Sequence, residues 1–172
     1  DPGENIYLLG VTATELSGSE WAGVVHGHLG GRPPKVNLAA EKQLAELLHA
    51  AGQQSLVSSA HDLSGGGLGQ ALAECVLRFG VGARVWLREI MERDGVDAST
   101  ALFSESTGRV LVTVPREDDV KFRGLCDGRG YPVLRIGVTD ASPAGENELE
   151  IQDVFRLPVS ELSHLWRDTI PA

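Results

Sequence analysis

The sequence has few of the features that mark several large classes of protein. It has two cysteines, Cys75 and Cys126, and their separation does not match the spacing of a metal-binding pair. No apolar run reaches the roughly 20 residues that span a bilayer, and no signal peptide is visible at the N-terminus. We therefore expect a cytoplasmic protein with reduced thiols and no membrane partner.

The charge pattern argues against a protein that binds nucleic acid. The formal net charge is −9 at pH 7, and no block of five like charges occurs, so the basic surface that binds nucleic acid is missing. An anionic ligand would need attraction from particular local groups. The 172 residues and the apolar fraction of 42% fit a single domain, 1–172. Because the chain begins at Asp1 without a Met, we expect a fragment of a longer protein.

The most informative segment present is 59–68, which reads Ser-Ala-His-Asp-Leu-Ser-Gly-Gly-Gly-Leu. A short apolar run leads into it, and apolar residues with helical spacing follow it up to Phe79. The glycines therefore lie between a strand and a helix, where free N–H groups and the helix dipole favour a phosphate or carboxylate. Glycines also let a ligand approach the backbone closely. The candidate binding residues here are His61, Asp62, Ser64, Gly65, Gly66 and Gly67.

A structural interpretation of this segment is equally open at this stage. Glycine-rich turns between strands and helices are common, and many only satisfy geometry. Asp62 or Ser64 could cap the helix through a side-chain oxygen, and His61 could be an ordinary wall residue.

The remaining patterns predict alternating strands and helices. Strands are predicted at 5–11, 83–87, 109–114, 131–138 with a break at Gly137, and 148–154 as a short edge strand. Helices are predicted from Ser17 or Ser19, from the cap Asn37 to Gly52, from the glycine turn to Gly80, at 97–103, after Pro115 and at 160–166, with a polar turn at 141–147 and Cys126 near a turn. Since no strict βαβ rhythm appears, the predicted fold class is α+β, a layered α/β/α domain with a mixed sheet.

Several segments together resemble one family, the last domain of the large phosphoribosylformylglycinamidine synthase subunit. It belongs to the superfamily related to aminoimidazole ribonucleotide synthetase. The resemblance runs in order through nearly the whole chain. Its segments are Leu9-Gly10-Val11-Thr12, Leu16-Ser17-Gly18-Ser19-Glu20-Trp21, Pro33-Pro34-Lys35-Val36-Asn37-Leu38, Ala60-His61-Asp62-Leu63-Ser64 with Gly66-Gly67-Leu68, Leu102-Phe103-Ser104-Glu105-Ser106 with Gly108-Arg109, and Arg135-Ile136-Gly137. Gly65, where the family often has an acidic residue, Trp21 for Tyr and Ser17 for Gly are departures.

The resemblance implies part of an ATP-dependent ligase of purine biosynthesis. The family converts formylglycinamide ribonucleotide to the amidine with ATP, Mg²⁺ and ammonia from glutamine. Its catalytic histidines and most of its metal carboxylates lie in N-domains, so we expect no catalytic residue and no metal ligand here. The isolated chain should be inactive. The implied partners are the N-terminal domains of the same synthetase, a glutamine amidotransferase subunit or domain, and a small accessory subunit.

The resemblance also adds Ser104, Glu105 and Ser106 to the candidate residues. In the family's first C-domain the corresponding segment contacts substrate, whereas in the second copy, which this chain resembles, it would face a structural nucleotide site. A purely structural role is the alternative for three residues. Glu105 could cap nearby N–H groups, Arg109 is expected to form a salt bridge with Glu105, and Glu74 is expected on a solvated helix face.

Two other functions remain open from the sequence. The chain could be a stand-alone module that binds an anionic metabolite, or the C-domain of another member of the superfamily, such as aminoimidazole ribonucleotide synthetase, selenophosphate synthetase or thiamine-monophosphate kinase. A domain cut from a larger enzyme should also expose an apolar face for its missing partner. We expect Tyr7 and Leu9 of the first strand near that face.

Overall fold

A seven-stranded mixed sheet forms the centre of the molecule in the computed structural model, which describes residues 1–140 and 146–168. Its order is β2-β4-β1-β5-β3-β6-β7. Neighbouring strands are antiparallel except for the parallel pair β3 and β6. The strands are β1 (Asn5–Leu9), β2 (Ser59–Asp62), β3 (Gly82–Val85), β4 (Val110–Val114), β5 (Val133–Asp140), β6 (Glu148–Ile151) and β7 (Phe155–Pro158).

Helices cover both faces of this sheet. Residues of α2 and α6 pack on one face, and residues of α3, α4, α5 and α7 pack on the other. The predicted α+β class, with an α/β/α layering and a mixed sheet, is confirmed. The helices are α1 (Glu20–His26), α2 (Leu38–Gln53), α3 (Gly67–Phe79), α4 (Arg88–Asp94), α5 (Ala98–Phe103), α6 (Asp119–Arg129) after a 3₁₀ turn (Arg116–Asp118), and α7 (Val159–Asp168).

The central strand β1 joins the two cores. Successive side chains of a strand point to opposite faces, so Ile6 and Leu8 pack in the core beside α3, whereas Tyr7 and Leu9 pack in the core beside α2 and α6. All five residues of β1 are buried. The expectation that Tyr7 and Leu9 lie near an exposed apolar face is therefore wrong, because β1 has a strand on each side and helices above and below.

Asn37 is confirmed as a helix cap, and Ser19 is the cap of α1 among the two candidates, whereas the cap position of α3 is Gly66, without a side-chain cap from Asp62 or Ser64. The side chain of Ser19 accepts a hydrogen bond from Ala22 N–H at the start of α1, and Asn37 accepts from Ala39 and Ala40 N–H at the start of α2. Each side chain satisfies a donor that the first turn leaves free. Gly80 ends α3 in the left-handed conformation. These local rules depend on a few neighbouring residues, which is why the sequence shows them clearly.

Other predictions fail where long-range pairing decides the structure. β5 continues through Gly137 instead of breaking there, and a Cβ on that residue would lie 2.5 Å from the Arg84 carbonyl oxygen. The glycine thus permits close approach of β3 within a continuous strand. β6 is not an edge strand, since it pairs with both β3 and β7. Cys126, by contrast, lies near a turn as predicted: it is buried in the last turn of α6, and its carbonyl accepts from the N–H of the cap residue Gly130.

Two short elements, α4 and β7, were not predicted at all. The predicted turn at 141–147 falls mostly on 141–145, which lie outside the described residues. The terminal helix α7 confirms the prediction at 160–166. Within 1–140 and 146–168, no helix is both long and apolar enough to cross a bilayer.

Candidate functional site

The glycine turn lies at the end of the sheet where several of the sequence motifs meet. β4 runs antiparallel to both β1 and β2, so the last residues of β1 and β2 and the first residue of β4 share one end. The loop after β1, the glycine turn after β2 and the segment before β4 are therefore neighbours. The sequence motifs that are far apart along the chain converge here.

The turn itself is strongly bent. Gly66 and Gly67 have φ of +75° and +62°, a region that side chains with a Cβ avoid. Leu63 is buried in the core and its N–H donates to the Arg109 carbonyl at 3.2 Å, which ties the turn to β4. Gly67 N–H donates to the Ser64 carbonyl at 3.1 Å. Ser64 and Gly65 remain exposed.

Gly67 makes a close backbone approach to protein. A Cβ on Gly67 would lie 2.4 Å from the Ser104 carbonyl oxygen and 2.9 Å from that of Leu102. The start of α3 therefore packs directly against the end of α5. This glycine permits contact between two chain segments, so a ligand cannot use the same space.

Glu105 is the residue that links the motifs. Its Oε1 accepts hydrogen bonds from Gly66 N–H at 2.9 Å and from Glu20 N–H at 2.8 Å. The interpretation of Glu105 as a carboxylate that caps N–H groups is confirmed. It follows that the N–H groups of Gly66 and Gly67, expected to be available to an anion, already have protein acceptors.

The two serines on either side of Glu105 also hold chain segments together at this end of the sheet. Ser104 and Ser106 are buried, and their hydroxyl groups lie 3.0 Å apart. Ser104 Oγ donates to the Ala13 carbonyl at 2.7 Å, and Ser106 Oγ accepts from Ala13 N–H at 3.0 Å. Both hydroxyls hold the loop that follows β1. Among the three residues of this segment, only Glu105 is partly accessible.

The expected salt bridge between Arg109 and Glu105 is absent from the structure. The Arg109 guanidinium is instead buried, with 2% exposure, and donates to the carbonyls of Ser104 and Ser106 and to Thr12 Oγ1. Burial lowers the pKa of Arg109 to about 10, against the opposing attraction of Asp94 and Glu15. The cation therefore braces the serine segment from inside, because its fork of donors satisfies two main-chain carbonyls at once.

An open cleft of about 390 Å³ lies beside the turn. Its polar lining includes Glu41, Asp62, Ser64, Glu105 and Thr107. Three of these five are carboxylates, while the Arg109 guanidinium at its base is committed to internal hydrogen bonds. The cleft is thus acidic and presents oxygen ligands. Within the described parts of the chain, no three Asp, Glu, His or Cys side chains are close enough together to hold a metal ion.

His61 lies apart from the other candidates. It is not among the residues that line the acidic cleft; its Nε2 lies 2.9 Å from Glu74 Oε2, and its Nδ1 lies 2.7 Å from the Asp62 carbonyl oxygen. Glu74 is consequently half-buried and paired, not simply solvated as expected. The structure brings together Asp62, Ser64, Gly65 and Glu105 at the cleft and separates His61 from them.

A sequence profile described as "AIR synthase related protein, C-terminal domain" matches residues 1–149. The chain belongs to this family. The match covers all the motif segments that meet at the cleft, the five strands β1 to β5 and the start of β6.

Named relatives match nearly the whole chain, and solved structures share its fold. The chain is 71% identical over 170 residues to "Phosphoribosylformylglycinamidine synthase subunit PurL" of Leifsonia xyli. This covers 99% of the chain but 22% of that protein, so the chain spans about a fifth of its length. "T. maritima PurL complexed with FGAR" matches 95% of the chain and 28% of its own chain with a TM-score of 0.79 and 23% identity. "T. maritima PurL complexed with ATP" matches 95% of the chain and 26% of its own, with a TM-score of 0.70 and 23% identity.

Two residues of the AIR synthase related domain at the cleft were not selected from the sequence. Thr107 lines the cleft and donates from Oγ1 to the Lys35 carbonyl at 2.9 Å, and Glu41 lies in the first turn of α2. Thr107 lies between two recognised segments that end at Ser106 and begin at Gly108, so its position two residues after Glu105 was a usable signal. Glu41 carried no signal, since an acidic residue in a first helical turn is common.

Proposed function

We propose that this chain is the C-terminal domain of phosphoribosylformylglycinamidine synthase, an ATP-dependent ligase that forms formylglycinamidine ribonucleotide. The observation that carries this proposal is the 71% identity over 170 residues to a named subunit of that enzyme. The chain is one domain of a longer multidomain synthetase in this proposal. Its own task is to form one wall of a nucleotide or ribonucleotide phosphate site shared with an N-domain.

The acidic cleft is the proposed wall of that site. Ser64 and Gly65 are exposed there, and Asp62 and Glu105 add carboxylate oxygens. Gly66 and Gly67 maintain the turn, while Ser104 and Ser106 hold Glu105 in place. Since like charges repel, a bare phosphate is disfavoured beside these carboxylates.

ATP with Mg²⁺ is the proposed cofactor. Mg²⁺ prefers oxygen ligands and commonly joins one or two carboxylates to substrate phosphates, so the carboxylates and hydroxyl of the cleft suit a metal-bridged nucleotide. Bound there, Mg²⁺ would neutralise phosphate charge. The remaining ligands and positive groups come from another domain in this proposal.

The distribution of exposed apolar residues supports a shared site. Six large apolar residues that are exposed in the described structure fall within 11–38, the segment that leads from β1 to the start of α2. Exposed apolar surface of this kind is typical of a domain interface. The proposed partners are the N-terminal domains of the same synthetase, a glutamine amidotransferase and a small accessory subunit, all in the cytoplasm. The six residues are Val11, Val24, Val25, Leu29, Val36 and Leu38.

A chimera tests the proposal directly. The matching segment of the Leifsonia xyli subunit is replaced by this chain, and formation of formylglycinamidine ribonucleotide and ADP is measured with ATP, Mg²⁺, substrate and ammonia. We expect activity within about tenfold of the parent, since 71% identity preserves most packing contacts. The isolated chain should give no turnover above a control without protein.

Glu105→Gln in the chimera tests the wall itself. The amide keeps an acceptor for the N–H groups of Gly66 and Glu20 but removes the charge. We expect a raised Mg²⁺ requirement or a raised KM for ATP with little loss of stability. Glu92→Gln, which changes an exposed carboxylate of α4, is the matched control. A folded chimera without activity would refute the proposal, and an unaffected Glu105→Gln chimera would refute the role of the cleft.

A further inference from the structure

A second groove, of about 490 Å³, lies between α3 and α7. It is lined by His61, Glu74, Arg78, Ser163, Trp166 and Arg167. None of these residues lines the acidic cleft at the glycine turn. The groove is unlike that cleft in charge, because it contains two guanidinium groups and one carboxylate.

The carboxylate of Glu74 is already occupied. Its Oε2 lies 2.9 Å from His61 Nε2, and its Oε1 accepts from Gln70 Nε2 at 2.9 Å. Glu74 and Arg78 are four residues apart on α3, a spacing at which opposite charges ordinarily pair. Because Glu74 faces His61 and Gln70 instead, the Arg78 guanidinium has no carboxylate partner among the described residues.

Among the described residues Arg167 also has no carboxylate partner, and the sequence of α7 shows the reason. The residues three and four positions before Arg167 are His164 and Ser163, so no carboxylate occupies the positions that pair on a helix. Within 1–140 and 146–168 no ion pair or hydrogen bond involves the Arg167 guanidinium. Two guanidinium groups that have no carboxylate partner among the described residues thus line one groove, in a chain whose net charge is −9. Arg78 also lies over the ring of Phe79, with its guanidinium carbon 5.8 Å from the ring centroid.

The same groove contains an accessible aromatic ring. The side chain is that of Trp166, on α7, which is 46% exposed. An indole offers a flat apolar face for stacking, and a guanidinium fork binds phosphate or carboxylate oxygens. The Ser163 hydroxyl adds a donor at the wall.

We propose that the groove between α3 and α7 binds a planar aromatic anion, with the ring against Trp166 and the phosphate or carboxylate between Arg78 and Arg167. The ligand class combines a flat ring with one or two negative charges, as in a nucleoside monophosphate or an aromatic carboxylate. The inference is independent of the function proposed for the cleft, since the two sites share no lining residue.

Titration of the chain followed by NMR tests the site. The probes are AMP, an aromatic ring with a phosphate, and benzoate, an aromatic ring with a carboxylate. The controls are adenosine, which has the ring without the anion, and inorganic phosphate, which has the anion without a ring. We expect AMP or benzoate to shift the indole N–H signal of Trp166, assigned through Trp166→Phe, and amide signals of α3 and α7. The anion that binds more tightly identifies the phosphate or carboxylate form. Adenosine and phosphate should each bind at least tenfold more weakly.

Charge variants complete the test. Arg78→Gln and Arg167→Gln should each weaken binding about fivefold, as expected for loss of one exposed charge contact. Arg129→Gln, which removes the same charge from the last turn of α6 on the other face of the sheet, should leave binding unchanged. The proposal is overturned if AMP and benzoate both leave Trp166 unshifted at 10 mM, if adenosine binds as well as AMP, or if Arg129→Gln weakens binding as much as Arg78→Gln.

Discussion

Replacing Gly67 by alanine tests the contact on which the candidate site depends. A Cβ at this position meets two main-chain oxygens, those of Ser104 and Leu102, at 2.4 and 2.9 Å. Neither oxygen can rotate away as a side chain could, so the turn or the end of α5 must move. Such a movement also displaces Glu105, whose carboxylate accepts the N–H of Gly66.

Two other glycines allow the cost of Gly67→Ala to be divided into backbone strain and steric overlap. Gly80 has nearly the same φ, +63°, but nothing lies within 4 Å of its Cβ position, so Gly80→Ala should cost about 1 kcal/mol of backbone strain alone. Gly124 lies inside α6, also in open space and without a positive φ, and Gly124→Ala should stabilise by about 0.5–1 kcal/mol. Gly67→Ala adds a steric overlap of about 2–3 kcal/mol to the strain, giving about 3–4 kcal/mol.

Urea unfolding of the three variants, followed by far-UV circular dichroism, measures these differences. With an unchanged m-value, each midpoint converts to a change in the free energy of unfolding. The Gly66 and Glu20 amide signals provide a second readout, because Gly67→Ala should shift both and Gly80→Ala neither.

The reasoning is refuted if Gly67→Ala and Gly80→Ala cost the same within about 1 kcal/mol. In that event the close approach of α3 to the Ser104 carbonyl would not exist in solution. Destabilisation by Gly124→Ala would instead show that the helix assignment, or the open space around α6, is incorrect.

Three further predictions concern buried polar groups and thiols. Arg109→Met should destabilise the fold by about 3–5 kcal/mol in urea unfolding, because the carbonyls of Ser104 and Ser106 lose charged donors; a cost below 1 kcal/mol would contradict it. At pH 8 a disulfide reagent should modify Cys75 about 100-fold more slowly than a free thiol, since burial raises the pKa of Cys75 from 9.0 to about 11, and rapid labelling would contradict this. Burial likewise raises the pKa of Cys126 to about 11. The folded state thus retains a proton that the unfolded state loses, and stability should fall between pH 9 and pH 11 in the parent but less in Cys126→Ala.

The sequence predicted best those features that depend on neighbouring residues. Asn37 was identified as a helix cap because it precedes an apolar helical pattern, and Ser19 was one of two candidates, with Ser17, for the cap of α1. The side chains of Asn37 and Ser19 both accept N–H groups of the first turn. The strand at β1 was visible as an apolar run. Its burial was also predicted and is confirmed. Its place between β4 and β5 was not predicted, because those strands lie about 100 residues or more further along the chain.

In the candidate site, the sequence identified the motif residues, but tertiary packing decided which groups each of them contacts. Arg109 and Glu105 are four residues apart, which made a salt bridge plausible, but the chain leaves α5 in an extended conformation at Ser104 and enters β4 at Val110. This path turns the guanidinium inward and the carboxylate toward the glycine turn. His61 was grouped with its sequence neighbours, although alternation along β2 places its side chain on another side from Asp62.

A glycine-rich turn before a helix is commonly interpreted as an anion site because its N–H groups lack partners. In this chain a carboxylate from the same domain occupies that position: Glu105 accepts from Gly66 N–H just as a bound anion would. A phosphate that used the same donor would have to displace Glu105 and also tolerate Asp62 and Glu41 nearby. A phosphate that keeps Glu105 in place must instead approach Ser64 and Gly65 with its charge neutralised by a cation or by basic groups of another domain. Under the proposed function, the acidic wall would therefore make phosphate binding depend on positive charge supplied by another domain.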